Sequence, residues 1–251
     1  MLTPYLMESH LFGKEMIDHN HIICLTDLTS LDELDTTSSI HTLCTKALNC
    51  STTVASVCVY PRFLKYVKEL LKNTHIKLTT VVNFPLGSDS ISNIYNQIDY
   101  AYNQGADEID MVIPYHDYIK FGASKTTIKL IATAKEICRN KVLKVIIETG
   151  ALKSDKLIKI ASKDVIKGGA DFIKTSTGKY EIGATPEAIK SIIDVCNNYS
   201  GTNIGIKVSG GVRTVNIANL YYQLVKQYRG EKFLSKKYLR FGSSNLLDQC
   251  I

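Results

Sequence analysis

Residues Ala170-Asp171-Phe172-Ile173-Lys174-Thr175-Ser176-Thr177-Gly178-Lys179 place a lysine at the end of an apolar strand, just before a Ser/Thr/Gly loop of the kind that cradles anions. Lysine loses its charge readily in a confined apolar setting, and the neutral amine forms Schiff bases with carbonyl compounds. The first hypothesis is therefore chemistry on a carbonyl compound that carries a phosphate. A second lysine has a similar frame, Ile204-Gly205-Ile206-Lys207-Val208-Ser209. Side chains alternate along a strand, so the three branched residues share one face and Gly205, Lys207 and Ser209 the other.

The same count puts Phe172 and Lys174 opposite Ile173, and Glu108, Asp110 and Val112 opposite Ile109, Met111 and Ile113. It sets Lys144 and Glu148 opposite Val145 and Ile147, and groups Ser56 with Cys58. Two lysines on adjacent strands disfavour each other's ammonium form, which frees one amine as a nucleophile. Asp110 is then the carboxylate placed to move protons through a water during carbinolamine dehydration and iminium deprotonation. The competing expectation is a structural ion-pair network of Asp110, Lys144, Glu148, Lys174 and Lys207. Three inward lysines with few inward acids count against it, because a buried ammonium costs several kcal/mol unless paired.

These residues sit on short β-branched runs that alternate with longer segments of helical period. Strands are expected at Ile22–Leu25, Val54–Val59, Ile76–Val82, Glu108–Val112, Leu143–Ile147, Asp171–Lys174 and Ile204–Val208, with a weaker one at Tyr238–Phe241. Helices are expected at Thr37–Leu48, Arg62–Lys72, Ile91–Gln104, Ser124–Arg139, Asp155–Lys167, Pro186–Asn198 and Thr214–Arg229, with a short one from Ser244 onward. Thr185-Pro186-Glu187 is a helix start with proline at the first helical position. Eight β/α units in 251 residues, without a Pro/Gly/Ser-rich linker, predict one (β/α)8 TIM barrel over residues 1–251 with a short N-terminal helical extension. A doubly wound sheet is the alternative, but it wants a Gly-rich fingerprint after the first strand, where Leu25-Thr26-Asp27-Leu28-Thr29 stands. In a barrel, the strands' C-terminal ends carry the active site. Three loops there suit an anion: Ser176-Thr177-Gly178-Lys179, Ser209-Gly210-Gly211-Val212-Arg213-Thr214 and Phe241-Gly242-Ser243-Ser244-Asn245.

The net charge of +6 is spread along the chain with acids interleaved, which argues against nucleic acid as a partner. Seven cysteines in no C-x-x-C or Cys/His spacing read as reduced thiols, and no zinc or calcium motif is present, so neither metal nor cofactor is expected. No signal pattern opens the sequence and no apolar run approaches the roughly 20 residues of a membrane helix. A cytoplasmic location away from the membrane follows as the expectation.

Several blocks in order carry a family resemblance: Leu25-Thr26-Asp27-Leu28-Thr29, Val57-Cys58-Val59-Tyr60-Pro61-Arg62-Phe63, Val82-Asn83-Phe84-Pro85-Leu86-Gly87, Gly105 through Tyr115, Lys144 through Gly150, the Lys174 block, Lys207 through Thr214, and Arg240-Phe241-Gly242-Ser243-Ser244. From about Asp27 to Leu247 the chain resembles the deoxyribose-phosphate aldolases, metal-independent class I aldolases on a (β/α)8 barrel. The resemblance implies reversible cleavage of 2-deoxy-D-ribose 5-phosphate to acetaldehyde and D-glyceraldehyde 3-phosphate. It makes Lys174 the Schiff-base lysine, Lys207 the group that depresses its pKa, Asp110 the acid-base carboxylate and Asp27 a supporting carboxylate. Thr29, Thr177 and Lys179 become contacts to substrate hydroxyls and the phosphate side. Gly178, Gly210, Gly211, Gly242 and Ser244 become the phosphate grip. Cys58 becomes a thiol near the acetaldehyde pocket, although as a residue it reads better as a small core filler.

Two departures from the family pattern are expected to matter. Asn245 stands where many members have a second serine, and an amide can still donate to phosphate. The chain stops at Gln249-Cys250-Ile251, without the tyrosine-ended tail of some members, so a slower proton step is expected. The alternatives are a Schiff-base barrel of transaldolase-like specificity and a phosphate-ligand barrel without catalysis. The second would show a substitution at Lys174, Lys207 or Asp110, and none is present. Whether the working unit is a homodimer is left open.

Overall fold

A computed structural model describes residues 16–199 and 203–250. Eight parallel strands close into a barrel in sequence order, β1 pairing with both β2 and β8. They are β1 Thr26–Ser30, β2 Ser56–Val59, β3 Lys77–Val82, β4 Glu108–Val112, β5 Val142–Ile146, β6 Phe172–Lys174, β7 Gly205–Ser209 and β8 Leu239–Ser243. Ten helices accompany them among the described residues: α1 His19–Leu25, α2 Thr37–Leu48, α3 Leu64–Leu70, α4 Ile91–Asn103, α5 Tyr115–Phe121, α6 Thr127–Cys138, α7 Thr149–Leu152, α8 Asp155–Lys167, α9 Pro186–Asn198 and α10 Val215–Arg229. Pro61–Phe63, Glu231–Phe233 and Leu246–Gln249 form 3-10 turns.

Local sequence accounts for most boundaries. In α8 the buried residues Ile158, Ala161, Ser162, Val165 and Ile166 recur at helical spacing and give one stripe to the barrel wall. Thr185 and Thr214 cap α9 and α10, their side chains accepting from the amides of Ala188 and Ile217. All residues of β2, β4, β6 and β7 are buried, as strands covered on both faces must be. No helix among the described residues is long and apolar enough to cross a membrane.

The first strand expected from the sequence is corrected. Ile22–Leu25 lies in helix α1, and β1 starts at Thr26. A four-residue apolar run does not reveal its own period, and here the ends decide. Asp18 caps the helix by accepting from the His21 amide, and the Thr26 hydroxyl donates to Ile22 O at 2.8 Å. Ile22, Ile23 and Leu25 are buried where α1 packs on β8 and α10. Residues 1–15 of the expected N-terminal extension lie outside the described residues. Helices α5 and α7 were not anticipated, and the last expected helix is only the 3-10 turn at Leu246–Gln249.

The register fixes which side chains meet. Lys174 of β6 stands level with Lys207 of β7, Asp110 of β4 with Lys144 of β5, and Asp27 of β1 with Gly242 of β8.

Candidate active site

Inside the barrel the inward side chains form one continuous ionic cluster. Asp110 Oδ2 accepts from Lys174 Nζ and from Lys207 Nζ, both at 2.7 Å, and Oδ1 accepts from Lys144 Nζ at 3.0 Å. Lys207 also pairs with Asp27 Oδ2 at 2.6 Å. Lys144 pairs with Glu108 at 2.6 Å and more distantly with Asp27 at 3.5 Å. The guanidinium of Arg240 bridges Asp27 at 2.6 Å and Glu108 at 3.1 Å, closing the ring. All seven side chains are buried.

The charge count decides what this cluster can do. Three carboxylates, Asp27, Glu108 and Asp110, are matched by three cations, Lys144, Lys207 and Arg240. Lys174 is the fourth basic group. Its one carboxylate partner in the cluster, Asp110, is already shared with Lys144 and Lys207. Burial lowers the Lys174 pKa, with Lys207 adding to the effect, and Asp110 does not fully offset them. For Lys207 burial acts in the same sense, yet Asp110 and Asp27 outweigh it and hold its ammonium above the ordinary range. Lys144 is likewise held above its ordinary range, against burial, by Asp110, Glu108 and Asp27. Burial would raise the carboxyls of Asp27 and Asp110, but the surrounding cations keep both well below their usual range. The amine of Lys174 is therefore the one poised to be neutral, while the groups beneath it stay charged.

This arrangement revises the sequence reading of the lysine pair. Lys174 and Lys207 do not depress each other symmetrically: Lys174 goes down and Lys207 goes up. An ion-pair network exists as well, with Asp27, Glu108 and Arg240 as members and without Glu148. The network accounts for Lys144 and Lys207 and leaves Lys174 over. Arg240 and the role of Glu108 went unforeseen. Face counting along β8 would have found Arg240, because in Leu239-Arg240-Phe241-Gly242 it alternates with two fully buried apolar residues.

Above Lys174 a cavity of about 360 Å³ opens between the C-terminal loops. Nine of the expected contacts line it: Thr29, Lys174, Thr177, Gly178, Lys179, Gly210, Gly211, Gly242 and Ser244. Ser30, Asp32, Ser209 and Arg213 line it too. Asp27, Asp110 and Lys207 are not in its lining and lie among the fully buried groups. Gly210 and Gly211 have successive φ values of 82° and 89°, a left-handed backbone that suits glycine and leaves this stretch of the cavity wall free of side chains. At Gly242 the constraint is space: an added Cβ would lie 2.9 Å from Ser209 Cβ and 3.1 Å from Lys207 Cε.

Other expected contacts are otherwise engaged. Thr29 Oγ1 donates to Asp27 O at 2.8 Å. The amide and hydroxyl of Thr177 both donate to Glu148 Oε2, and Lys179 Nζ donates to Leu31 O at 2.5 Å. Asn245 is exposed and outside the cavity lining, its amide donating to Ser243 Oγ at 3.3 Å. Cys58 is fully buried on β2, and burial raises its thiol above the usual range, so it stays protonated.

Residues 21–228 match the model of the DeoC/LacD family aldolases. Among solved structures, the chain is similar to the apo form of a candidate deoxyribose-phosphate aldolase from Toxoplasma gondii ME49, at 25% identity and a TM-score of 0.87, covering 92% of this chain and 93% of that one. A candidate deoxyribose-phosphate aldolase from Coccidioides immitis matches at 25% identity and 0.81, covering 98% and 93%. The tetrameric deoxyribose phosphate aldolase from Aeropyrum pernix shares the fold at 20% identity and 0.73, covering 97% and 94%.

Proposed function

We propose that this chain, which belongs to the DeoC/LacD family of aldolases, reversibly cleaves 2-deoxy-D-ribose 5-phosphate to D-glyceraldehyde 3-phosphate and acetaldehyde through a Schiff base on Lys174. One observation carries the reading: three buried carboxylates are matched by three other cations, so the lysine facing the cavity is the surplus base. A neutral amine with a buried acid-base pair behind it is what imine chemistry requires.

In the cleavage direction Lys174 Nζ attacks the aldehyde carbon of the open-chain sugar. The carbinolamine oxygen leaves as water after taking a proton relayed from Lys207 through Asp110 Oδ2, which lies 2.7 Å from both lysines. A base then removes the proton of the sugar's C3 hydroxyl. The C2–C3 bond breaks, its electron pair flows into the iminium, and the triose aldehyde departs. The resulting enamine takes a proton at carbon, and water adds to the new iminium to release acetaldehyde and restore the amine. Throughout, Asp27 keeps Lys207 in place. The Gly210-Gly211 loop, the Gly178 turn and Arg213 are the groups for the phosphate. Loops after strands seven and eight are the usual phosphate site of this architecture. The seven free cysteines favour a reducing, cytoplasmic setting.

The test is reductive trapping. Acetaldehyde with borohydride should leave an N-ethyl group on Lys174, located by peptide mass mapping, and Lys174→Arg should lose it. An adduct that persists in Lys174→Arg, or none in the unaltered protein, would sink the assignment.

A further inference from the structure

Glu148 takes no part in the chemistry above, yet it is fully buried and sits in left-handed backbone, φ 53° and ψ 66°, which a glutamate rarely adopts. Such a conformation persists only where the surroundings dictate it. Its Oε2 accepts from both the amide and the hydroxyl of Thr177, the amide at 3.1 Å. Thr177 Oγ1 in turn accepts from the Lys179 amide at 3.1 Å. The other oxygen, Oε1, is buried without a hydrogen-bond partner. Lys174 from β6 and Tyr115 from α5 are the ionisable groups that sense this carboxyl, and burial raises it above the ordinary carboxylate range.

The segment that begins at Glu148 is stitched to two neighbouring loops. Thr149 Oγ1 reaches Gly183 O at 3.5 Å, Ala184 N donates to Gly210 O at 3.0 Å, and Ser209 Oγ donates to Ser176 O at 2.7 Å. The loops after β5, β6 and β7 are thus one connected piece, and Glu148 holds its middle strand of chain at Thr177. The geometry points to Glu148 as a positioning residue for the phosphate end of the substrate. By engaging both donors of Thr177 it withdraws them from the cavity and presents Gly178, with the Gly210-Gly211 loop, as the anion-binding surface. The inference rests on the reading above that this cavity takes a sugar phosphate.

Three variants test it: Glu148→Ala, Glu148→Gln and Glu148→Asp. Each is assayed for kcat and KM on 2-deoxyribose 5-phosphate and on unphosphorylated 2-deoxyribose, and for calorimetric affinity toward inorganic phosphate at constant ionic strength. Glu148→Ala should raise KM for the phosphorylated sugar and weaken inorganic phosphate by about tenfold, with kcat/KM on 2-deoxyribose within about twofold. Glu148→Gln keeps an acceptor for both Thr177 donors and should restore phosphate affinity. Should Glu148→Ala fail to fold, Glu148→Asp, one methylene too short for Thr177, carries the same expectation. Equal losses on both sugars would reduce Glu148 to a packing role and overturn the inference, as would unchanged phosphate affinity. Failure of the unaltered protein to cleave 2-deoxyribose 5-phosphate would remove the substrate assignment, while the phosphate arm would still decide the role of Glu148.

Discussion

Replacing Lys207 with leucine removes one of the two cations that share Asp110 Oδ2. Lys174 Nζ and Lys207 Nζ each lie 2.7 Å from that oxygen, so their nitrogens are no more than about 5.4 Å apart. At an effective dielectric of roughly 20, unit charges at that distance repel by about 3 kcal/mol, or roughly two pKa units. Losing Lys207 also leaves Asp110 and Asp27 less compensated, which favours the Lys174 ammonium further. The Lys174 amine should then titrate about two units higher in Lys207→Leu, and trapping at neutral pH should slow about a hundredfold while recovering in base. The assay is the rate of acetaldehyde-borohydride labelling of Lys174 against pH. An unchanged or lowered midpoint would refute the claim that Lys207 keeps Lys174 neutral, and labelling lost at every pH would show that carbinolamine dehydration draws its proton from no donor but Lys207.

Further outcomes follow from the same cluster. Lys144→Met leaves Asp110, Glu108 and Asp27 short of a buried cation and should cost about 3–5 kcal/mol of stability, read by urea denaturation. Gly242→Ala forces a methyl to 3.1 Å from Lys207 Cε and should lower turnover about tenfold or more; a fully active variant would show that the lysine has slack. Asp27, Glu108 and Asp110 all have lower pKa values folded than unfolded. Their contribution is therefore complete above the ordinary carboxylate range of about 4 and is lost as pH falls below it, because the unfolded chain takes up protons first. Urea midpoints measured from about pH 5 downward should fall, and a flat profile would contradict the network.

Much of this site was legible because parallel barrel strands alternate strictly between core and wall. Counting from a branched residue put Lys174, Lys207, Asp110 and Lys144 on the inner face, where the structure has them. Counting says nothing about which carboxylate a lysine reaches, since that depends on barrel closure. Arg240 of β8 meets Asp27 of β1 only because the sheet closes, and Glu108 only across the interior. The same limit applies to Thr177, which lines the cavity as expected but has a partner that no count along its own loop could name. Its loop has the composition of an anion cradle, but its donors face Glu148, a residue 29 positions away in sequence. The misplaced first strand has a local cause, since the caps at Asp18 and Thr26 outvote the β-branched pair Ile22-Ile23.

Lys174 is 2% exposed and lines the floor of the cavity, and the cluster groups behind it, Asp110, Lys207 and Lys144, are fully buried. On the proposed chemistry, the two-carbon fragment stays bonded to the lysine while the phosphorylated triose lies between it and the loops. Traffic through such a dead-end passage has a fixed sequence: the triose must clear the entrance before the aldehyde can follow, and in synthesis acetaldehyde must enter first. Steady-state kinetics should accordingly be ordered, with acetaldehyde competitive against 2-deoxyribose 5-phosphate and the triose phosphate noncompetitive.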